Sequence, residues 1–205
     1  LPDTVGTELG ALIEPLAVAV WAVRRAEVRP GHRVLVTGAG PIGILVAQVA
    51  AAAGAAEVVV TDVNDDRLAR ALELGATAVL NTAEEPPELT GMDRLLECSA
   101  HPVALWQGVH TLGPAARATV VGQAPPLVDG LPLAFLQRWE IDLVTAFRYA
   151  HAFPTAIALA GSDRVDLAAV LTGRFPLDRA DEAIRAPGLD PTHLKVVVRP
   201  GDPAN

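Results

Sequence analysis

The residues with the clearest chemical meaning are three glycines and one aspartate. Gly38-Ala39-Gly40-Pro41-Ile42-Gly43 spaces its glycines as G-x-G-x-x-G, and Asp62 follows nineteen residues after Gly43. Each glycine has a reason. Gly38 permits a tight turn, Gly40 lets backbone approach a bound group, and Gly43 lets the following helix pack close to the preceding strand. Pro41 suits a first helical turn, where a missing N–H costs little. The helix start then offers amides and the positive end of its dipole to a diphosphate. Gly38, Gly40, Pro41, Ile42 and Gly43 are thus the candidate cradle.

Glycine-rich turns occur in any α/β protein, so the turn alone says little. Asp62 adds meaning, because it closes a second strand at the spacing of an acid that accepts hydrogen bonds from ribose hydroxyls. The same carboxylate would repel a 2′-phosphate, which favours NAD over NADP. No basic residue follows until Arg67, after Asn64, Asp65 and Asp66. Arg67 either lies over the adenine or ribose, or is a solvated arginine at a helix start. Asp65 reads as the cap of that helix.

These groups need a scaffold to hold them. Strand-like runs rich in β-branched residues span Arg33 to Thr37, Glu57 to Thr61, Ala78 to Leu80, Arg94 to Cys98, Ala118 to Gly122 and Ile141 to Phe147. Helix candidates lie between them at Pro41 to Ala53, Asp65 to Leu74, Pro102 to Thr111 and Leu133 to Arg138. Alternation of this kind, apolar on both faces, implies a parallel sheet covered on two sides, and six strands fit the α/β doubly wound Rossmann sheet. Ahead of the first strand, Leu9 to Ala26 reads as helical, with Pro15 near the start of its main part and Arg24-Arg25 near its end, where positive charge suits the dipole. After the sixth strand the alternation stops. The tail reads as a helix at Phe153 to Gly161, a strand at Val170 to Phe175, a helix at Arg179 to Ala186 and a strand at Leu194 to Val198. Proline-rich Glu84 to Glu88 and Gln123 to Pro132 read as loops.

Composition narrows the function classes. The 205 residues are 51% hydrophobic and 20% charged, ordinary for a globular chain. The net charge is −8 and no basic run exceeds Arg24-Arg25, so no nucleic-acid partner is expected. No apolar run reaches the roughly 20 residues needed to span a bilayer, so no membrane partner is expected and the chain reads as soluble. One cysteine, Cys98, excludes an intrachain disulfide and a multi-thiolate zinc site within this chain. A reducing, cytoplasmic setting is the expectation, with no export signal at the start. The chain begins at Leu1 and its only methionine is Met92, so translation is expected to have begun upstream.

The segments "GALIEPLAVAVWAVRRAEVRPGHRVLVTGAGPIG" and "VVVTDVNDDRLARALELGA" resemble the zinc-dependent medium-chain alcohol dehydrogenases, especially the sorbitol and threonine dehydrogenase branch. The likeness continues through "LLECSA", "VVGQ", "FRYAHAFP" and "LTGRFPLDRADEAI", nearly the whole chain. It implies hydride transfer between a small polyol or secondary alcohol and NAD, with a catalytic zinc on the alcohol oxygen. By the resemblance Glu14 lies beside that zinc, as a ligand or through water; read from the sequence alone it is a first-turn acid favoured by the dipole. Val121, Gly122 and Phe147 would hold the nicotinamide through backbone groups, and Arg148 and Tyr149 would border the polyol pocket. Without the resemblance, Phe147 reads as core and Arg148 as a surface cation. Cys98 reads as a packed thiol rather than a ligand. His32, His110 and His193 have no second ligand at suitable spacing. His151 stands where the family often has asparagine, and Gly173 where it often has histidine.

By the same resemblance the chain divides at 1–14, a remnant of the GroES-like catalytic domain; 15–147, the NAD-binding Rossmann domain; and 148–205, a segment returning to the catalytic domain. The cysteine and His-Glu pair that supply zinc ligands in the family do not occur here, and a catalytic zinc needs about three protein ligands. Zinc is therefore expected only in a longer parent, with this chain binding NAD but barely reacting. A homo-oligomer joined at the edge of the sheet is a further expectation. Two rivals stand beside this reading: a free-standing, non-catalytic dinucleotide-binding module, and a zinc-free NADPH-dependent quinone or enoyl reductase of the same superfamily. Asp62 and "IEP" count against the second.

Overall fold

The computed structural model describes residues 1–123, 125, 128–190 and 192–201. Residues 124, 126 and 127 of the expected loop, and 191 and 202–205 of the expected C-terminal segment, lie outside the described residues. The strands β1 (Arg33–Thr37), β2 (Glu57–Asp62), β3 (Ala78–Asn81), β4 (Met92–Glu97), β5 (Leu112–Val120) and β6 (Asp142–Thr145) form one sheet in the order β3-β2-β1-β4-β5-β6. Every neighbouring pair is parallel. Chain order reverses between β1 and β4, the place where open α/β sheets hold ligands.

Helices cover both faces, as a parallel sheet requires. On one side α2 (Ile13–Arg25), α3 (Pro41–Ala52), α4 (Asp65–Glu73) and α7 (Phe153–Ala160) pack with Val34, Val36, Val58, Val60 and Leu96. On the other, α5 (Pro102–His110) and α6 (Leu133–Trp139) pack with Leu35, Val59 and Leu95. In α3 every residue from Gly43 to Ala50 is buried, as expected of a helix apolar all round. Its one polar member, Gln48, accepts from the Asp166 amide at 2.6 Å and so fastens the tail to the sheet domain.

Three details depart from the sequence reading. The helix expected over Leu9 to Ala26 breaks into α1 (Thr7–Gly10) and α2, which restarts at Ile13. Pro15 explains the break, because in a continuous helix its ring would strike the carbonyl of Ala11. β5 begins at Leu112 rather than Ala118. Pro114 and Gly113 disguise its first half, where the register with β4 shifts between Met92 and Arg94. Finally, the cap of α4 is Asn64, whose side chain accepts from the Arg67 amide, and not Asp65. Asp65 sits in the first turn and accepts from Asn81 Nδ2 at 2.7 Å.

The tail forms a unit of its own shape. After a 3₁₀ turn at Ala168–Val170, β7 (Leu171–Pro176) and β8 (Lys195–Arg199) pair in parallel across α8 (Ala180–Leu189). The β8 edge is met on one side by β7. Leu167, Val170, Leu171 and Leu194 join the core on the α3 side.

Candidate functional site

The glycine turn departs from β1 with Gly38 at φ +88°, a left-handed conformation that glycine adopts without steric cost. The Gly38 amide donates to the Thr61 carbonyl at 2.7 Å, joining the turn to the end of β2. A Cβ on Gly43 would lie 1.8 Å from the Gly38 oxygen, so only glycine lets α3 approach the strand. Gly40 differs, since nothing lies within 4 Å of the place its Cβ would take. The protein leaves that space open. Gly40 caps α3 without a side-chain hydrogen bond and Pro41 opens the helix, so the cap residue leaves the first-turn amides to other partners.

Asp62 stands at the end of β2 and is held on both oxygens. Oδ2 accepts from the Ala39 amide at 2.6 Å, and Oδ1 accepts from Val63 and Asn64 amides at 2.8 and 3.0 Å. The carboxylate is thus fixed against the glycine turn. Beside it opens a cleft of about 680 Å³ whose walls include Gly38, Gly40, Asp62 and Arg67 from one side, and Cys98, Ser99 and His101 from the turn after β4. Glu84 and Glu85 stand at its margin. Pro41, Ile42 and Gly43 are not wall residues; Ile42 is half-buried against the core.

The other candidates lie outside that cleft's walls. Val121 and Gly122 both donate their amides to the Glu97 carbonyl at 2.8 Å, which leaves their carbonyls, not their amides, for a ligand. Phe147 is 76% exposed, so it is not core, and the Arg148 guanidinium lies over its ring at 5.4 Å. Tyr149 is half-buried and meets Phe153 edge-on at 4.9 Å between ring centres. Arg148 and His151 hold φ +52° and +51°, an uncommon backbone state for side chains of this size. Arginines expected only to complement a dipole secure this segment at both ends: Arg25 donates to the Thr145 carbonyl at 3.0 Å and Arg24 to the His151 carbonyl at 3.1 Å.

Glu14 is exposed in the first turn of α2. Among the described residues no three His, Cys, Asp or Glu side chains gather as a metal site requires. Burial pushes the Cys98 thiol well above its ordinary range, and the Glu97 carboxylate adds to the effect. A thiol so held stays protonated and is a poor ligand. The sequence reading passed over Ser99, which walls the cleft, and Glu97, buried at the end of β4 and bonded to the Ser99 amide. A carboxylate inside the apolar run "RLLECSA" was the available signal. Among the described residues no helix is long and apolar enough to cross a membrane.

A doubly wound sheet with a glycine turn at its switch point and an acid closing the second strand defines an α/β chain of Rossmann type. The model of the zinc-binding dehydrogenase family matches residues 41–162, and the chain belongs to that family. It is 40% identical over 193 residues to sorbitol dehydrogenase of Macaca fascicularis, covering 89% of this chain and 54% of that protein. Among solved structures it resembles 2R,3R-butanediol dehydrogenase from Bacillus subtilis at TM-score 0.91 and 28% identity, over 98% of this chain and 60% of that one. It also resembles an alcohol dehydrogenase from Escherichia coli complexed with NADH, at TM-score 0.90 and 25% identity, over 97% and 61%. The chain spans about half the length of the curated relatives it matches.

Proposed function

We propose that this chain is the cofactor-carrying part of an oxidoreductase that transfers hydride between a polyol or secondary alcohol and NAD. One observation supports the site above all. Gly40 faces open space at the start of α3, at the head of the same cleft where Asp62 is fixed by three amides. In this reading the α3 amides hold a diphosphate, Asp62 accepts from the adenosine ribose hydroxyls, and Arg67 borders the adenosine. When bound, the dinucleotide supplies a hydride acceptor. Carbonyls of Val121 and Gly122 and backbone at Phe147 would orient its nicotinamide, and Arg148 and Tyr149 would border the alcohol.

Family membership supports the reaction class, and the choice of NAD over NADP rests on Asp62 alone. Zinc does not fit the described residues by themselves, because Glu14 is a single donor where about three are needed. The alcohol chemistry therefore belongs to a protein with further ligands, and this chain by itself is expected to bind cofactor and barely react. Leu143 on the outermost strand is 39% exposed and Trp139 at the end of α6 is 37% exposed, which suits pairing with a second copy. A cytoplasmic setting suits the one cysteine.

Titration of NADH and NADPH by nicotinamide fluorescence tests the assignment. NADH is expected to bind more tightly. Equal affinities would overturn the choice of NAD, and no binding of either would overturn the site.

A further inference from the structure

Polar side chains are scarce in the core, and several of them stand in one row. Thr61 of β2 pairs with Thr37 of β1, Thr37 with Glu97 of β4, and Glu97 with Val120 of β5. Residues in register on parallel strands share a face. Two positions earlier on the first three strands, Val59, Leu35 and Leu95 pack toward α5 and α6, so the row looks the same way. Thr37, Thr61 and Glu97 are no more than 3% exposed. The row lies at the carboxyl ends of the strands, beneath the cleft.

Glu97 differs from its neighbours in carrying charge. A buried carboxylate is costly unless hydrogen bonds replace its water, and this one has them from one direction. Oε1 accepts from the Ser99 amide at 2.7 Å, the Ser99 hydroxyl at 2.5 Å and the Ala100 amide at 2.9 Å. These three bonds draw the turn back onto the end of β4, with Ala100 at φ +62°. Through its backbone carbonyl the same residue accepts the Val121 and Gly122 amides. A Cβ on Gly122 would sit 2.5 Å from the Ala100 nitrogen and 3.0 Å from Glu97 Oε2, so the exit of β5 is packed onto this turn. Glu97 therefore joins the turn that walls the cleft to the segment leaving β5.

We propose that Glu97 is a positioning residue for the cofactor: its carboxylate shapes the Ser99–Ala100 turn into the cleft wall that faces the adenosine half. β1 lies between β2 and β4, so this wall stands across the glycine turn from Asp62. The inference rests on reading the cleft as a dinucleotide site.

The test is calorimetric titration of AMP and NADH into the parent chain and the Glu97→Gln, Glu97→Ala and Ser99→Ala variants, with thermal midpoints alongside. Glu97→Ala leaves two amides without their acceptor and is expected to weaken both ligands by about tenfold or more. Glu97→Gln keeps an acceptor oxygen and is expected to stay within about threefold of the parent. That rescue would not follow from a merely structural charge. Parental AMP affinity in Glu97→Ala, or a loss in Glu97→Gln equal to that in Glu97→Ala, overturns the proposal. Should Glu97→Ala fail to fold, Ser99→Ala decides. A loss of AMP affinity of about threefold or more at an unchanged midpoint supports positioning, and unchanged affinity overturns it. If the parent binds neither AMP nor NADH, the dinucleotide reading fails instead.

Discussion

The carboxylate of Asp62 accepts a hydrogen bond from the Ala39 amide at 2.6 Å. The acid proposed to read the ribose is therefore also a strut of the glycine turn, and substituting it acts on both. Asp62→Ala is expected to lower NADH affinity while leaving NADPH affinity unchanged or higher. It is also expected to lower the thermal midpoint by several degrees. Leaving a buried amide unpaired costs about 1–3 kcal/mol, and each kcal/mol shifts the midpoint of a chain this size by about 2–4 °C. Fluorescence titration and differential scanning fluorimetry on one preparation separate the two roles. An equal fall for both cofactors would leave Asp62 a strut only.

Gly40 and Gly43 make a sharper contrast, because one faces open space and the other a carbonyl at 1.8 Å. Gly43→Ala is expected to fold poorly, since either α3 or the turn must move to admit the methyl group. Gly40→Ala is expected to fold, with a midpoint lowered by no more than about 2–4 °C for a poorer helix cap. Yet its methyl group would occupy the space assigned to diphosphate, so NADH affinity should fall by about tenfold or more. A Gly40→Ala chain that binds NADH like the parent would remove the diphosphate from that turn.

What the sequence revealed and what it hid follow from how far each signal reaches. β1 runs from Arg33 to Thr37 as its β-branched pattern implies, and strand-helix alternation was enough for the parallel doubly wound sheet. The glycine spacing was legible because a turn, a close approach and a helix start are all local demands. Partnerships between distant residues were not. Nothing near Gln48 announces the Asp166 backbone, and nothing near Arg25 announces Thr145. Asn64 and Asp65 are both good caps, and only the backbone angle at Asn64 decides between them. Glu97 was in plain view within an apolar run, but its meaning depends on a turn that folds back onto it.

Arg148 and His151 are held at φ +52° and +51° around the segment proposed to face nicotinamide and alcohol. Side chains resist that conformation and glycine does not. His151→Gly is expected to raise the thermal midpoint by about 1–4 °C, from roughly 0.5–1 kcal/mol of relieved strain. Arg148→Gly should gain less, because it also removes the guanidinium from the Phe147 ring. A lowered midpoint in both variants would show that the two side chains hold the segment rather than strain it.

The N-terminal helix is tied to the tail sheet by one carboxylate. Glu8 accepts from Arg199 and, at 2.5 Å, from Arg174, so a residue of α1 bridges β7 and β8. The Arg199 hydrogen bond, opposed by burial and then assisted by Arg174, holds the Glu8 carboxyl below its ordinary value of 4.5. With α1 undocked, the carboxyl takes up its proton first as pH falls. The tether therefore contributes fully above about pH 4.5 and is lost as pH drops through the lowered value. Glu8→Gln should reproduce that loss at neutral pH. Because both arginines are partly exposed, the expected effect is modest, about a two- to fivefold faster hydrogen exchange in β8 with β1 and β4 unchanged. Exchange in β8 that is the same in Glu8→Gln and the parent at neutral pH, and insensitive to acidification in the parent, would show that the apolar contacts of Leu171 and Leu194 seat the tail without help from this carboxylate.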